Sequence, residues 1–328
     1  MDSRNMIEVD FGSGKAYEIH GDHIKFDIMN QMYTMMGLKQ GHHGYKFPGC
    51  LPVSIEREQI HAMKCKGYLA TEKTDGNRYF MFLTTYDDKN LIIMVDRKLS
   101  MYHVPMSVYD GLYKGSIIDG ELVKNGGNKY LFNVFDTVVF CGTNVMQHNF
   151  HQRFGNALEL MKMVFPSDKD PFTFQTKAFY PLTGFQELEK FSKEQEYHTD
   201  GYVFYPQDLG YIPFRNWDLF KWKPSHLNTV DFLVERSMEK QKYTFSVFSK
   251  GSHVVIQTIV LPNSLMQVEL EYSLQGKDQV VVECKLDTRS QLWVPTQIRT
   301  DKTHANDLLT FQKTIKNIQE NIQVSEFM

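Results

Sequence analysis

The sequence predicts an α+β fold in two parts, a mixed α+β domain followed by a small β-barrel of oligonucleotide-binding type and a closing helix. Three observations predict it. The chain has 328 residues, more than the roughly 250–300 at which a single core stops growing. Runs of β-branched and aromatic residues, each bounded by Gly, Asn, Asp or Pro, fill much of the first two thirds. Near residue 225 the texture changes, and five or so shorter strands follow in about 80 residues, the pattern of a small barrel. The expected division is residues 1–228, a barrel over 229–305, and a C-terminal helix over 306–328 that packs back on the first domain.

The elements follow in order. Residues 54–65 read as a helix opening at a Ser cap, with acidic residues in its first turn. Strands are expected at 79–84 (YFMFLT), 91–95 (LIIMV), 116–123 (SIIDGELV) and 129–140 (KYLFNVFDTVVF). A helix over 151–165 places Phe154, Leu158, Met161 and Phe165 on one face. A second, over 183–195, opens with Thr183 and Gln186 as a capping box. Strands resume at 200–206, 218–224 and 229–235, and the later ones at 243–249, 253–261 and 279–284. The last helix carries Phe311, Ile315, Ile318 and Ile322 at helical spacing. No repeat of 20–50 residues is present, which excludes solenoids and propellers.

Composition removes several function classes. Apolar residues make up 42% of the chain and charged residues 23%, so it has enough apolar surface for a core and is not a disordered scaffold. Net charge is −3, which argues against a protein that coats long nucleic acid but not against one that handles a single end. Cys50, Cys65, Cys141 and Cys284 form no C-x-x-C, so neither a disulfide framework nor a zinc cluster is expected. The first fifteen residues lack an apolar h-region, and runs such as FMFL at 80–83 are too short to span a bilayer. A soluble intracellular chain is expected.

The chemistry-bearing residues gather at strand ends. Lys73-Thr74-Asp75-Gly76 offers an amine nucleophile, with a glycine that permits a tight turn and close approach of a ligand. Arg78 lies two residues on, suited to phosphate or sugar oxygens. Asp119-Gly120-Glu121 interrupts an apolar strand, Asp200-Gly201 opens another, and Lys221-Trp222-Lys223 puts two lysines on one strand face at period two. Arg299, Asp301 and Lys302 stand in the second part. Each motif alone also reads as a turn or a solvated face. Together, these cations and carboxylates suit a triphosphate and a divalent cation.

In this order, the four motifs of the first part resemble those of the covalent nucleotidyltransferases, a superfamily of mRNA capping enzymes and polynucleotide ligases. Pro48-Gly49 with Pro52-Val53-Ser54, the segment KWKPSHLNTVD at 221–231, and Arg299-Thr300-Asp301-Lys302 favour the capping guanylyltransferases, and the stretches EKTDGNRYFMF, YHTDGYVF, VVECK and NDLLTFQKTIKNIQENI resemble their stand-alone viral members most of all. The resemblance covers nearly the whole chain. It implies an ATP-grasp-like, ligase-type domain of mixed antiparallel sheets followed by an oligonucleotide-binding barrel. It implies transfer of GMP from GTP, through a lysyl–GMP on Lys73, to the 5′-diphosphate end of RNA. Thr74, Arg78 and Glu121 would then face the nucleotide, with Arg78 and Glu121 on the ribose. Phe135 would stack on guanine, although from the residues alone strand core is the favoured reading, and Lys177 would contact the base. Arg97 would lie near the nucleotide, although a surface ion pair suits it nearly as well. Asp200 would help hold Mg²⁺ or Mn²⁺. Lys221 and Lys223 would bind the α-phosphate, while Arg299, Asp301 and Lys302 would reach the β- and γ-phosphates once the barrel closes. RNA triphosphatase and cap methyltransferase activities are expected on other chains. If the chain is viral, its place is the nucleus or cytoplasm of the host cell. The alternatives are an ATP-dependent polynucleotide ligase and a non-catalytic RNA-binding protein.

Overall fold

Strand 5 sets the pattern of the first part. In the fifth strand, β5 (Asn77–Tyr86), Phe80 and Phe82 turn to one side while Tyr79, Met81 and Leu83 turn to the other, and all five are buried. Both faces of the sheet are therefore covered, which is why its strands read as continuous apolar runs. The computed structural model describes residues 6–42, 44–239, 241–262, 264–300 and 302–328. Its contacts divide the chain into two units, Met1–Val53 with His61–Lys221 and Phe327–Met328, and Ser54–Ile60 with Trp222–Glu326.

The elements up to Trp222 are β1 (Met6–Phe11), β2 (Gly14–Ile19), α1 (Asp22–Met36), β3 (Cys50–Ser54), α2 (Arg57–Cys65), β4 (Tyr68–Thr74) and β5 (Asn77–Tyr86). They continue with β6 (Lys89–Asp96), β7 (Met101–His103), β8 (Ser107–Val108), β9 (Ser116–Lys124), β10 (Tyr130–Phe140), β11 (Thr143–Asn144) and α3 (Phe150–Lys162). Then come β12 (Val164–Phe165), β13 (Thr173–Thr176), β14 (Tyr180–Pro181), α4 (Phe185–Glu194), β15 (Thr199–Pro206) and β16 (Phe214–Trp222). One sheet has the order β1-β2-β7-β6-β5-β9-β10-β11, with β13 pairing parallel to β10. The other has the order β14-β4-β15-β16-β3. The core on one face of the large sheet joins Phe80, Phe82, Ile93 and Val95 to α1 and to Leu69, Tyr205 and Leu219 of the smaller sheet. The opposite face packs Met81, Met94, Ile118 and Phe132 against Ala157 and Leu160 of α3.

Two ion pairs are sealed in this unit. Arg78 grips Asp119 through Nε at 2.9 Å and Nη2 at 2.5 Å, and its Nη1 donates to the Cys50 carbonyl at 2.7 Å. Arg153 grips Asp136 at 2.8 and 2.9 Å and donates from Nη1 to the carbonyls of His148 and Leu209. The Tyr211 hydroxyl donates to Asp119 at 2.6 Å and accepts from the Cys50 amide at 2.8 Å, which ties β3 to β9. Burial and the Asp119 charge push the Tyr211 phenol well up. Burial likewise pushes the Cys50 thiol up to about 11, leaving it a packed, unreactive group.

The second unit contains β17 (Thr229–Arg236), β18 (Tyr243–Ser249), β19 (Ser252–Ile259), α5 (Leu265–Ser273), β20 (Gln279–Asp287), β21 (Leu292–Ile298) and α6 (Leu308–Glu320). Its strands form one antiparallel sheet in the order β19-β18-β17-β20-β21. The barrel expected here is an open sheet, because among the described residues no backbone ladder joins β19 to β21. A side chain spans the gap instead. Gln257 donates from Nε2 to the Trp293 carbonyl at 2.7 Å and accepts from the Trp293 amide at 2.9 Å. A register shift in β19 beside Gln257, opposite Phe245 and Ser246, accompanies this. Phe311 of α6 packs on Phe232 and Trp293.

Several local expectations need correction. Helix α4 starts at Phe185 after a Gly184 cap with no side-chain hydrogen bond, because a 3₁₀ turn occupies Leu182–Gly184. The capping box lies at α3 instead, between Asn149 and Gln152. Leu158 and Phe165 are about half exposed, since α3 ends at Lys162 and Phe165 belongs to β12. The described start of α2 is Arg57, three residues after Ser54. Helices α1 and α5 were not foreseen.

Replacing Arg153 by Met would leave Asp136 charged and buried without its partner. The expected loss is about 3–5 kcal/mol, read as a lower urea midpoint for the transition of this unit with an unchanged slope.

Candidate functional site

Lys73 stands at the end of β4, where β15 runs antiparallel to it. Thr199 pairs with Thr74 and Gly201 with Lys73, so Asp200 is the extra residue of a β-bulge. Gly201 has φ +153°, a conformation that favours glycine. The bulge turns the Asp200 carboxylate toward Lys73, whose Nζ donates to it at 2.8 Å. The Lys73 side chain is 22% exposed and that of Asp200 only 9%, so the amine is partly sheltered yet reachable.

Beside Lys73 lies a buried carboxylate that the motifs did not indicate. Glu72 accepts from Thr71 at 2.9 Å and from the Tyr197 hydroxyl at 3.1 Å. Its backbone carbonyl accepts from Nζ of buried Lys177 at 2.9 Å. Burial and the Glu72 charge push the Tyr197 phenol up. The only advance signal was a charged residue inside an apolar strand, YLATEK.

A second bulge shapes the other wall. Val134 pairs with Gly120 and Asp136 with Asp119, so Phe135 is the extra residue of β10. Its ring lies under two cations, with Arg78 at 5.3 Å and Lys177 at 5.8 Å from the centroid. The Asp119-Gly120-Glu121 motif sits within β9 and makes no turn. Asp119 binds Arg78, the Thr74 hydroxyl donates to Glu121, and Gly120 leaves room for the Phe132 ring. Burial opposes the charge of Arg78, but Asp119 more than offsets it and holds the guanidinium above its ordinary value. Arg97 is exposed and, among the described residues, pairs with no carboxylate. Desolvation and the nearby Arg78 charge hold it below its ordinary value. A cation in that position gains by meeting an anion.

Gly76 is also confined by its own fold. A Cβ there would stand 2.5 Å from the Leu122 carbonyl and 2.6 Å from Val123. The close neighbour is the chain's own β9. Lys221 lies on β16 and closes the first unit, and Lys223 follows two residues later in the second.

Within the second unit, Asp231 of β17 accepts from Arg299 Nη1 at 3.2 Å and from Lys302 Nζ. Glu283, its register partner across the ladder, lies 3.5 Å from the same Arg299 nitrogen. Two carboxylates opposite one another repel, and the two cations relieve that repulsion. Asp301 lies outside the described residues. No group of three metal-ligating side chains occurs among the described residues, and no helix there is long and apolar enough to cross a membrane.

The arrangement around Lys73 agrees with a nucleotidyltransferase. Residues 15–225 match the family model "mRNA capping enzyme, catalytic domain", and residues 227–328 match "mRNA capping enzyme, C-terminal domain". The chain belongs to the mRNA capping enzyme family, whose members are guanylyltransferases. It is 24% identical over 318 residues to the mRNA-capping enzyme subunit alpha of Schizosaccharomyces pombe, covering 86% of this chain and 79% of that one. It is 26% identical to the mRNA-capping enzymes of Danio rerio and Mus musculus, covering 84% and 86% of this chain but 48% and 49% of theirs. It thus spans about half the length of those two relatives. Among solved structures, mycobacterial DNA ligase D complexed with ATP and MES aligns with a TM-score of 0.44 and 13% identity, covering 79% of this chain and 98% of that one.

The Gly76→Ala variant should lose about 1–3 kcal/mol, because the added methyl meets the β9 backbone. Urea unfolding measures this, and a variant as stable as the parent would disprove the contact.

Proposed function

We propose that this chain transfers GMP from GTP to the 5′-diphosphate end of RNA through a lysyl–GMP on Lys73. The observation that carries the reading is Lys73 held by Asp200 at the bulge, 2.8 Å apart and partly sheltered from water. In the first step Nζ of Lys73 attacks the α-phosphorus. For this attack the ammonium first gives one proton to the Asp200 carboxylate and the neutral amine then adds; the bond from that phosphorus to the bridging oxygen breaks, pyrophosphate leaves, and the second nitrogen proton passes to water. In the second step an oxygen of the RNA β-phosphate attacks the same phosphorus. The P–N bond breaks, Lys73 recovers its protons, and GpppN is released.

The remaining residues have supporting roles. Thr74, Arg78 and Glu121 border the ribose, and Arg78 keeps N–H groups beyond those bound to Asp119 and Cys50. Phe135 stacks on guanine. Lys177, with one of its three donors used on the Glu72 carbonyl, reaches the guanine O6 with another. Arg97 meets an anionic oxygen. Lys221 and Lys223 neutralise the α-phosphate, while Arg299 and Lys302, and Asp301 with them, serve the departing pyrophosphate. A single carboxylate, Asp200, suits Mg²⁺ or Mn²⁺ held mainly by phosphate and water. Such an ion neutralises phosphate charge. GTP and the RNA end are thus the partners of this chain.

Incubation with α-labelled GTP and a divalent metal, followed by denaturing electrophoresis, tests this reading. A label stable to alkali and lost in acid should map to Lys73 and vanish in Lys73→Ala. ATP should label about 10⁴-fold less efficiently, because adenine presents a donor where Lys177 offers one. Label on another lysine, or efficient labelling by ATP, overturns the reading.

A further inference from the structure

The second unit contains a cleft of about 670 Å³, within the range of small-ligand sites. Its lining includes Tyr272, Lys277, Gln279, Arg299 and Lys302 over a floor that includes Ile298. Tyr272 stands near the end of α5 with 73% of its surface exposed. A tyrosine that open gains little from the fold. Lys277 is exposed and, among the described residues, pairs with no carboxylate. Asp231 pairs with both Arg299 and Lys302 and so fixes their position. An open aromatic face beside three cations is the combination that binds single-stranded nucleic acid, the ring taking a base and the cations the phosphates.

We propose that this cleft binds the acceptor RNA, with a base of its 5′ region stacked on Tyr272 and a phosphate on Lys277. The proposal rests on the guanylyltransferase reading, since that reaction supplies an RNA substrate and the chain must hold it. Tyr272 and Lys277 lie outside the residues assigned to lysyl–GMP formation, so their loss affects only the second step. The overall charge of −3 fits a local contact of this kind rather than a general affinity for nucleic acid. Leu265 and Val268 are exposed on the same helix, which makes a protein partner for α5 the competing outcome.

The experiment compares the parent with Tyr272→Ala, Tyr272→Phe and Lys277→Gln in the full chain. Lysyl–GMP formation with labelled GTP is measured first, then transfer to a 20-nucleotide RNA bearing a 5′-diphosphate. All three variants should form lysyl–GMP at the parental rate. Tyr272→Ala should raise the KM for RNA about tenfold, the range of one lost base stack, and Tyr272→Phe should restore it. Lys277→Gln should reduce the slope of log affinity against log salt by about 0.7, the share of one phosphate contact. A parental KM in Tyr272→Ala, or a parental salt slope in Lys277→Gln, overturns the proposal and leaves α5 to a protein partner. If Tyr272→Ala also loses the first step, the Lys277→Gln salt slope alone decides. Absence of lysyl–GMP in the parent would defeat the underlying reading instead.

Discussion

The first unit is organised around the buried pair of Arg78 and Asp119. Arg78 comes just after the turn that follows Lys73, on β5, and Asp119 is two residues before Glu121 on β9. Taking two charges out of water costs several kcal/mol per ion, and only full hydrogen bonding repays it. Here Arg78 satisfies both carboxylate oxygens and a carbonyl of β3, and Tyr211 adds a further bond to the carboxylate. The pair therefore has one geometry in which it is stable. That geometry fixes the strands that carry Lys73, Glu121 and Phe135. Removing Arg78 would leave Asp119 charged in the core and without its partner.

The two bulges place side chains that regular pairing would have directed elsewhere. Without the extra residue in β15, Asp200 would lie opposite Lys73 in ordinary register, and Gly201 would not need its unusual φ. Without the extra residue in β10, Phe135 would alternate with its neighbours and would not reach both Arg78 and Lys177. A bulge turns the strand by one residue, and here the two set Asp200 against Lys73 and Phe135 beneath Arg78 and Lys177.

Most strands were legible because their apolar runs had clear ends, and the motif residues were legible through their order along the chain. Two features were not. Glu72 looked like an ordinary neighbour of Lys73, because nothing local shows that Tyr197, far along the chain, will bond to it. Asp231 sat within a recognised segment, but its role depends on the register that sets it against Glu283 and on the turn that returns Arg299 and Lys302. Helix α1 did carry a signal, since Ile24, Ile28, Met32 and Met36 recur every four residues before Gly37 at φ +69°. The capping box expected at Thr183 fitted its pattern but lost to a 3₁₀ turn that consumed the same residues. Side-chain partners fixed by long-range register are the part that a single sequence conceals.

The bridge made by Gln257 has a mechanical consequence. A barrel closed by a backbone ladder can widen only by breaking a row of hydrogen bonds together. Among the described residues, this sheet is held edge to edge by one amide making two bonds to Trp293. Its curvature is thus an adjustable property set by one side chain, largely independent of the ladders that hold β17 to β18 and β20. The five strands can keep their pairing while the gap between β19 and β21 opens or narrows like the slot of a spring clip.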